Sequence, residues 1–125
     1  MDALFYRLGA LSGLLAVAAG AFGSHALRAR LTPEYLAVFE TGARYQMYHA
    51  LALLVVGWLT ARHCTRWTDL AGISMTAGTL IFSGCLYALV LSGAKVLGLI
   101  VPVGGLLLII GWLCLAAAAW QDRSA

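Results

Sequence analysis

His25, Gln46 and His49 are the residues whose chemistry stands out, because each lies beside or inside an apolar run. An imidazole can exchange a proton near neutral pH, ligate a metal, or join a hydrogen-bonded network. Ser24, Glu40, Arg44, Tyr45 and Lys95 lie close to them in sequence or in expected depth. At about 100° per residue, Gly42, Tyr45, Gln46 and His49 share one side of a helix, and Arg44 points about 140° away from His49. Ser24 and His25 are the expected facing groups from an earlier helix. The candidate ligand-binding set is therefore His25, His49, Gln46, Tyr45, Arg44, Glu40, Ser24 and Lys95. Arg28, Arg30, Arg44 and Lys95 could hold an anionic headgroup.

Other chemistries fit less well. A metal or haem held by His25 and His49, with Met47 nearby, fails on count and direction. Two ligands do not complete a zinc site, and Met47 lies about 200° around the helix from His49. No metal and no cofactor is expected. Cys64, Cys85 and Cys114 have no CxxC spacing, and a thiol inside an apolar run behaves as a small hydrophobe. No Ser-His-Asp set, paired intramembrane carboxylates, HExxH or phosphate-binding loop is present, so no catalytic residue is assigned and enzymatic activity is not expected.

The elements that must position these residues follow from composition. The chain has 125 residues, 62% hydrophobic and 10% charged. A soluble domain averages about 25% charged, and a small one has much surface to cover. The solvent is therefore lipid, and the bilayer is the first partner. One spanning helix takes about 20 apolar residues, so the length suits four spans and leaves no room for a soluble catalytic domain. The eight basic residues are scattered, the net charge is +3, and no nucleic-acid partner is expected.

The spacing predicts an all-α membrane four-helix bundle in a single domain, with spans near 8–26, 45–61, 70–91 and 96–120. The first run resembles a signal peptide at Ala21-Phe22-Gly23, but Asp2 joins Arg7 ahead of it, and it is read as a retained helix. Gly9, Gly13, Ala16, Gly20 and Gly23 form a small-residue stripe suited to close helix packing. Ser24 to Arg30 reads as a short polar connection. Thr32-Pro33-Glu34 reads as a helix start, and the helix runs to about Ala61. At about 43 Å it is too long for the hydrocarbon core alone, so residues 33–44 form an amphipathic interfacial segment, with Glu40 and Arg44 spaced to pair.

The third span carries Gly72, Thr76, Thr79, Ser83 and Tyr87 on one stripe. Pro102 is expected to kink the fourth, and Gln121 to Ala125 reads as a polar tail. If Arg7 and Arg62 mark one interface, His25 and Arg44 lie about 27 Å away near the other, and His49 about 7 Å deeper. Lys95 falls on that same side. Arg7, Arg62, Arg66 and Arg123 balance Arg28, Arg30, Arg44 and Lys95, so the positive-inside rule does not select an orientation. Leu53 to Leu59 resembles Leu107 to Leu113, and Ala26-Leu27 resembles Ala88-Leu89, which points to two helix hairpins in parallel repeat.

Gly20-Ala21-Phe22-Gly23-Ser24-His25-Ala26-Leu27 and Tyr45-Gln46-Met47-Tyr48-His49-Ala50-Leu51-Ala52-Leu53 resemble the two signature stretches of a family called domain of unknown function 423. Its animal relatives are called transmembrane protein 256. Ser24 stands where Ala is more usual. The resemblance covers essentially the whole chain and implies a four-helix membrane fold, but no activity. Two functional readings follow. In one, the polar cluster fixes helix register in a structural or accessory membrane protein, beside a membrane-protein partner or in a homo-oligomer. In the other, the His25/His49 region binds or transports a small molecule, lipid or ion. The expected location is the bacterial cytoplasmic (inner) membrane, multi-pass.

Overall fold

Thr32 and Pro33 open the longest helix as their order predicts. The Thr32 hydroxyl accepts from the Tyr35 backbone N–H at 3.3 Å, and Pro33 fills a position whose N–H would have no helical partner. The computed structural model describes residues 1–122, so Arg123, expected as an interfacial anchor, lies outside the described residues. The helices are α1 (Asp2–Phe22), α2 (Pro33–Arg62), α3 (Arg66–Ser92) and α4 (Val101–Asp122). The all-helical expectation holds.

Three details differ from the sequence reading. Gly23–Leu27 is a π-helical turn that continues α1, so Ser24 to Leu27 is helix rather than connection. Lys95–Leu99 is a 3-10 turn, and α4 begins only at Val101. Pro102 therefore lies in the first turn of α4, where no backbone donor is needed, and kinks nothing. Gln121 and Asp122 extend α4 and are not a tail. The α2–α3 turn is short because Thr65 and Thr68 reciprocally cap α3, at 3.2 and 3.1 Å. Gly93, at φ 73°, closes α3 in the left-handed conformation that favours glycine.

Consecutive helices pack in pairs, α1 on α2, α2 on α3 and α3 on α4, while α1 and α4 do not pack along their length. The four helices thus form an open arrangement, not a bundle closed by α1 against α4. One core cluster joins all four: Phe5, Ala52, Leu53, Val56, Ala71, Met75 and Cys114. A second, at the opposite end, is Leu27, Phe39 and Val90.

Glycines set the closest approaches. A methyl added at Gly9 would stand 2.8 Å from the Ala50 carbonyl and 3.0 Å from the Leu54 N. One added at Gly78 would stand 2.9 Å from the Leu108 N. Gly57 meets the Asp2 carbonyl and Tyr6, and Gly111 meets the Ala71 carbonyl and Met75. Gly13 meets Ala50, and Gly104 meets Phe82. A single sequence offset takes Asp2, Tyr6, Gly9 and Gly13 to Ala71, Met75, Gly78 and Phe82. Another takes Ala50, Leu54 and Gly57 to Gly104, Leu108 and Gly111. Matching Ala26-Leu27 to Ala88-Leu89 would instead be off this register by about two helical turns.

Asp2–Leu27, Arg66–Ser92 and Lys95–Gln121 are long and apolar enough to cross a bilayer, with mean hydropathy 1.5, 1.7 and 2.5. Helix α2 is not among these three. Its middle carries Tyr45, Gln46, Tyr48 and His49, whose polarity lowers the hydropathy of any bilayer-length window.

Candidate functional site

The polar middle of α2 is turned inward because both neighbouring helices approach it closely. Gln46 and His49 are 8% and 4% exposed, while Arg44, on the other side of the helix, is exposed. Gln46 joins three helices. Its amide nitrogen donates to the Ser12 carbonyl of α1 at 3.2 Å, and its amide oxygen accepts from the Tyr87 hydroxyl of α3 at 2.7 Å. A turn earlier, the Ser83 hydroxyl donates to the Gly42 carbonyl at 2.7 Å, and Gly42 leaves the notch that receives the Tyr87 ring.

His49 joins α2 to α4. Its Nδ1–H donates to the Tyr45 carbonyl at 2.7 Å, and its Nε2 accepts from the Trp112 indole N–H at 3.0 Å. An indole only donates, so the pair fixes a neutral imidazole with its hydrogen on Nδ1. Both ring nitrogens are then occupied. Thr79 is different: it is 8% exposed, and its hydroxyl has no partner among the described residues.

Two grooves flank this network. The larger, about 910 Å³, lies between α2 and α4, with Phe82 of α3 in its lining. It is lined by Tyr45, Tyr48, His49, Trp112, Pro102 and a run of aliphatic residues. The smaller, about 560 Å³, lies between α1 and α3 above Gln46, Leu53, Thr79 and Ser83. Each groove is bridged by one hydrogen-bonded side chain, His49 for the first and Gln46 for the second.

The sequence-derived set is therefore divided. Tyr45 and His49 come together at the larger groove, and Gln46 lies apart from them at the smaller one. Ser24, His25, Arg44 and Lys95 are exposed and Glu40 half-buried, and none of them makes a hydrogen bond or ring contact among the described residues. Glu40 and Arg44 form no ion pair there, in keeping with the few tenths of a kcal/mol that an exposed pair offers. The ring of His49 meets Trp112 and not His25, because α4 and not the end of α1 lies against that side of α2. Trp112 was not recognisable as a site residue. It belongs to the Gly-Trp-Leu sequence shared with α2, but its counterpart Trp58 lies under the Arg62 guanidinium at 4.4 Å instead. The Thr79, Ser83 and Tyr87 stripe was the readable signal for the α3 side.

Apolar helices of bilayer length, with amide and imidazole groups turned inward, define a small helical membrane protein. Residues 19–105 match the family model described as Protein of unknown function (DUF423). The chain is 47% identical over 118 residues to a UPF0382 membrane protein of Staphylococcus aureus, covering 94% of this chain and 96% of that one. It is 44% identical over 115 residues to one of Staphylococcus epidermidis, covering 92% and 93%. It is 41% identical over 118 residues to one of Staphylococcus haemolyticus, covering 94% and 96%. The chain belongs to this family of membrane proteins of unknown function. No solved structure matches it.

Proposed function

We propose that the chain is a four-span protein of the bacterial cytoplasmic (inner) membrane that serves as a structural or accessory component there, beside a membrane-protein partner or a second copy of itself, without catalytic chemistry of its own. The observation that carries this reading is the use of both His49 ring nitrogens and both Gln46 amide atoms inside the chain. A committed imidazole and amide fasten helices; they do not offer a free acid, base or ligand. Interhelical bonds of this kind are worth about 0.6 kcal/mol on average and up to about 1.7, which suffices to select one packing register.

Helix α2 is the fourth span in this reading. Gln46 and His49 face the protein, and Val55 and Trp58 are exposed on the other side. Residues 33–44 form the interfacial segment, and the whole 1–125 chain is one membrane domain. Duplication of a helix hairpin is supported by the matched glycine contacts of α1–α2 and α3–α4.

The test is photo-crosslinking in cells from a reactive residue at Leu14 of α1 or Leu113 of α4, both exposed. A discrete protein adduct from either face is expected. Lipid adducts alone from both would remove the accessory role. The alternative reading, binding or transport through the His25/His49 region, is favoured at His49 by the groove that it lines.

A further inference from the structure

The larger groove deepens that alternative reading. A continuous run of rings from α2, α3 and α4 lines the groove. Tyr48 lies 5.7 Å from Tyr45, Tyr45 lies 5.0 Å from Phe82 and 6.3 Å from His49, and His49 lies 6.1 Å from Trp112. Pro102, Leu106 and Ile109 of α4 face it. Ring faces of this kind favour flat ring partners in offset or edge contact. The volume, about 910 Å³, suits a compact headgroup with the first part of a chain.

Polarity narrows the class. Among the described residues no Lys, Arg, Asp or Glu lines the groove, so none of them there would neutralise a phosphate or carboxylate. The Tyr45 and Tyr48 hydroxyls have no partner among the described residues, and at the rim of the hydrocarbon they can donate to a carbonyl. The rim position follows from Arg44, one residue from Tyr45 and about 6 Å of helix from Tyr48. Leu51, Leu106, Leu108 and Ile109 give the rest of the lining its apolar surface.

We propose that this groove binds an uncharged amphiphile with a flat conjugated ring bearing carbonyl acceptors and a hydrocarbon tail, the chemistry of an isoprenoid quinone. The ring lies on the Tyr45–Phe82–His49 wall, the carbonyls accept from Tyr45 and Tyr48, and the tail leaves between α2 and α4 into the bilayer. The site rests on α2 and α4 both crossing the membrane. It does not depend on a protein partner, so an absent crosslink leaves it standing.

Gly105 supplies the means of testing it. A methyl there would meet Phe82 at no less than 3.8 Å, an ordinary contact, so a Cβ fits at this groove-lining position without moving backbone. Gly84 plays the same part in the smaller groove, with nothing within 4 Å. The full chain is placed in nanodiscs of uncharged lipid and titrated with a decyl-substituted benzoquinone, following tryptophan fluorescence above the linear quenching due to partition. One saturable site per chain is expected. Gly105→Leu should abolish saturation, Gly84→Leu should preserve it, and Tyr45→Phe with Tyr48→Phe should weaken it by about five- to tenfold. Leu106→Trp, at an exposed groove position, replaces Gly105→Leu if that variant loses its helical circular dichroism. Linear quenching alone overturns the proposal, as does saturation that survives groove filling. So does a decyl glycerophospholipid that displaces the probe as well as an unlabelled quinone does.

Discussion

A bilayer rejects an amide or imidazole whose hydrogen bonds are unmade, and at Gln46 and His49 that requirement is met side chain by side chain. Gln46→Leu removes two interhelical bonds and should cost about 1–3 kcal/mol, and Trp112→Phe about 0.6–1.7. Both should lower the thermal midpoint in detergent, read by circular dichroism. His25→Ala should leave it unchanged, because His25 is exposed and bonds to nothing among the described residues. A drop as large as that of Gln46→Leu would show that the π-helical turn carries an interaction beyond those seen. Thr79→Val should raise the midpoint by the equivalent of about 1 kcal/mol, since it deletes a buried hydroxyl that has no partner among the described residues and keeps the shape. The side of α2 that carries Gln46 and His49 was legible from angular spacing. The acceptor for Trp112 was not, because the two residues are 63 positions apart.

Helix packing here is governed by the smallest residues, as expected where lipid removes the hydrophobic drive between helices. Gly104→Ala would drive its methyl onto the Phe82 N, a backbone atom that cannot turn aside. It should cost about 1–3 kcal/mol, with Gly9→Ala close behind. Gly20→Ala meets nothing within 4 Å and should gain up to about 1 kcal/mol from helix propensity. Thermal midpoints of the three variants decide this, and equal losses at Gly20 and Gly104 would contradict the contact geometry. The stripe in the sequence names Gly9 and Gly20 alike and does not include Gly104. Which ones touch depends on where the helices cross. Thr32-Pro33 announced its helix start because an N-cap is a local device. Pro102 misled because a 3-10 turn ahead of it, invisible in the apolar pattern, moves the start of α4.

For the molecule as a whole, a crossing α2 puts its two ends on opposite sides of the membrane. Cys64 is exposed in the α2–α3 turn, and Arg28 is exposed just past α1. With Cys85 and Cys114 replaced by Ala, an impermeant maleimide applied to intact spheroplasts should label Cys64 or an Arg28→Cys variant lacking Cys64, but not both. Labelling of both from one side would place α2 along the membrane surface. The sequence by itself determined the solvent, the helical class and the family, because composition, apolar run length and signature stretches are properties of the chain alone. It also determined which side of α2 is polar. Only the tertiary structure decided that α1 and α4 stay apart, that His49 takes Trp112 and leaves His25 at the surface, and that an aromatic groove opens between α2 and α4. Those outcomes depend on crossing points set by glycines far apart in the chain, and no local spacing encodes the distance between them.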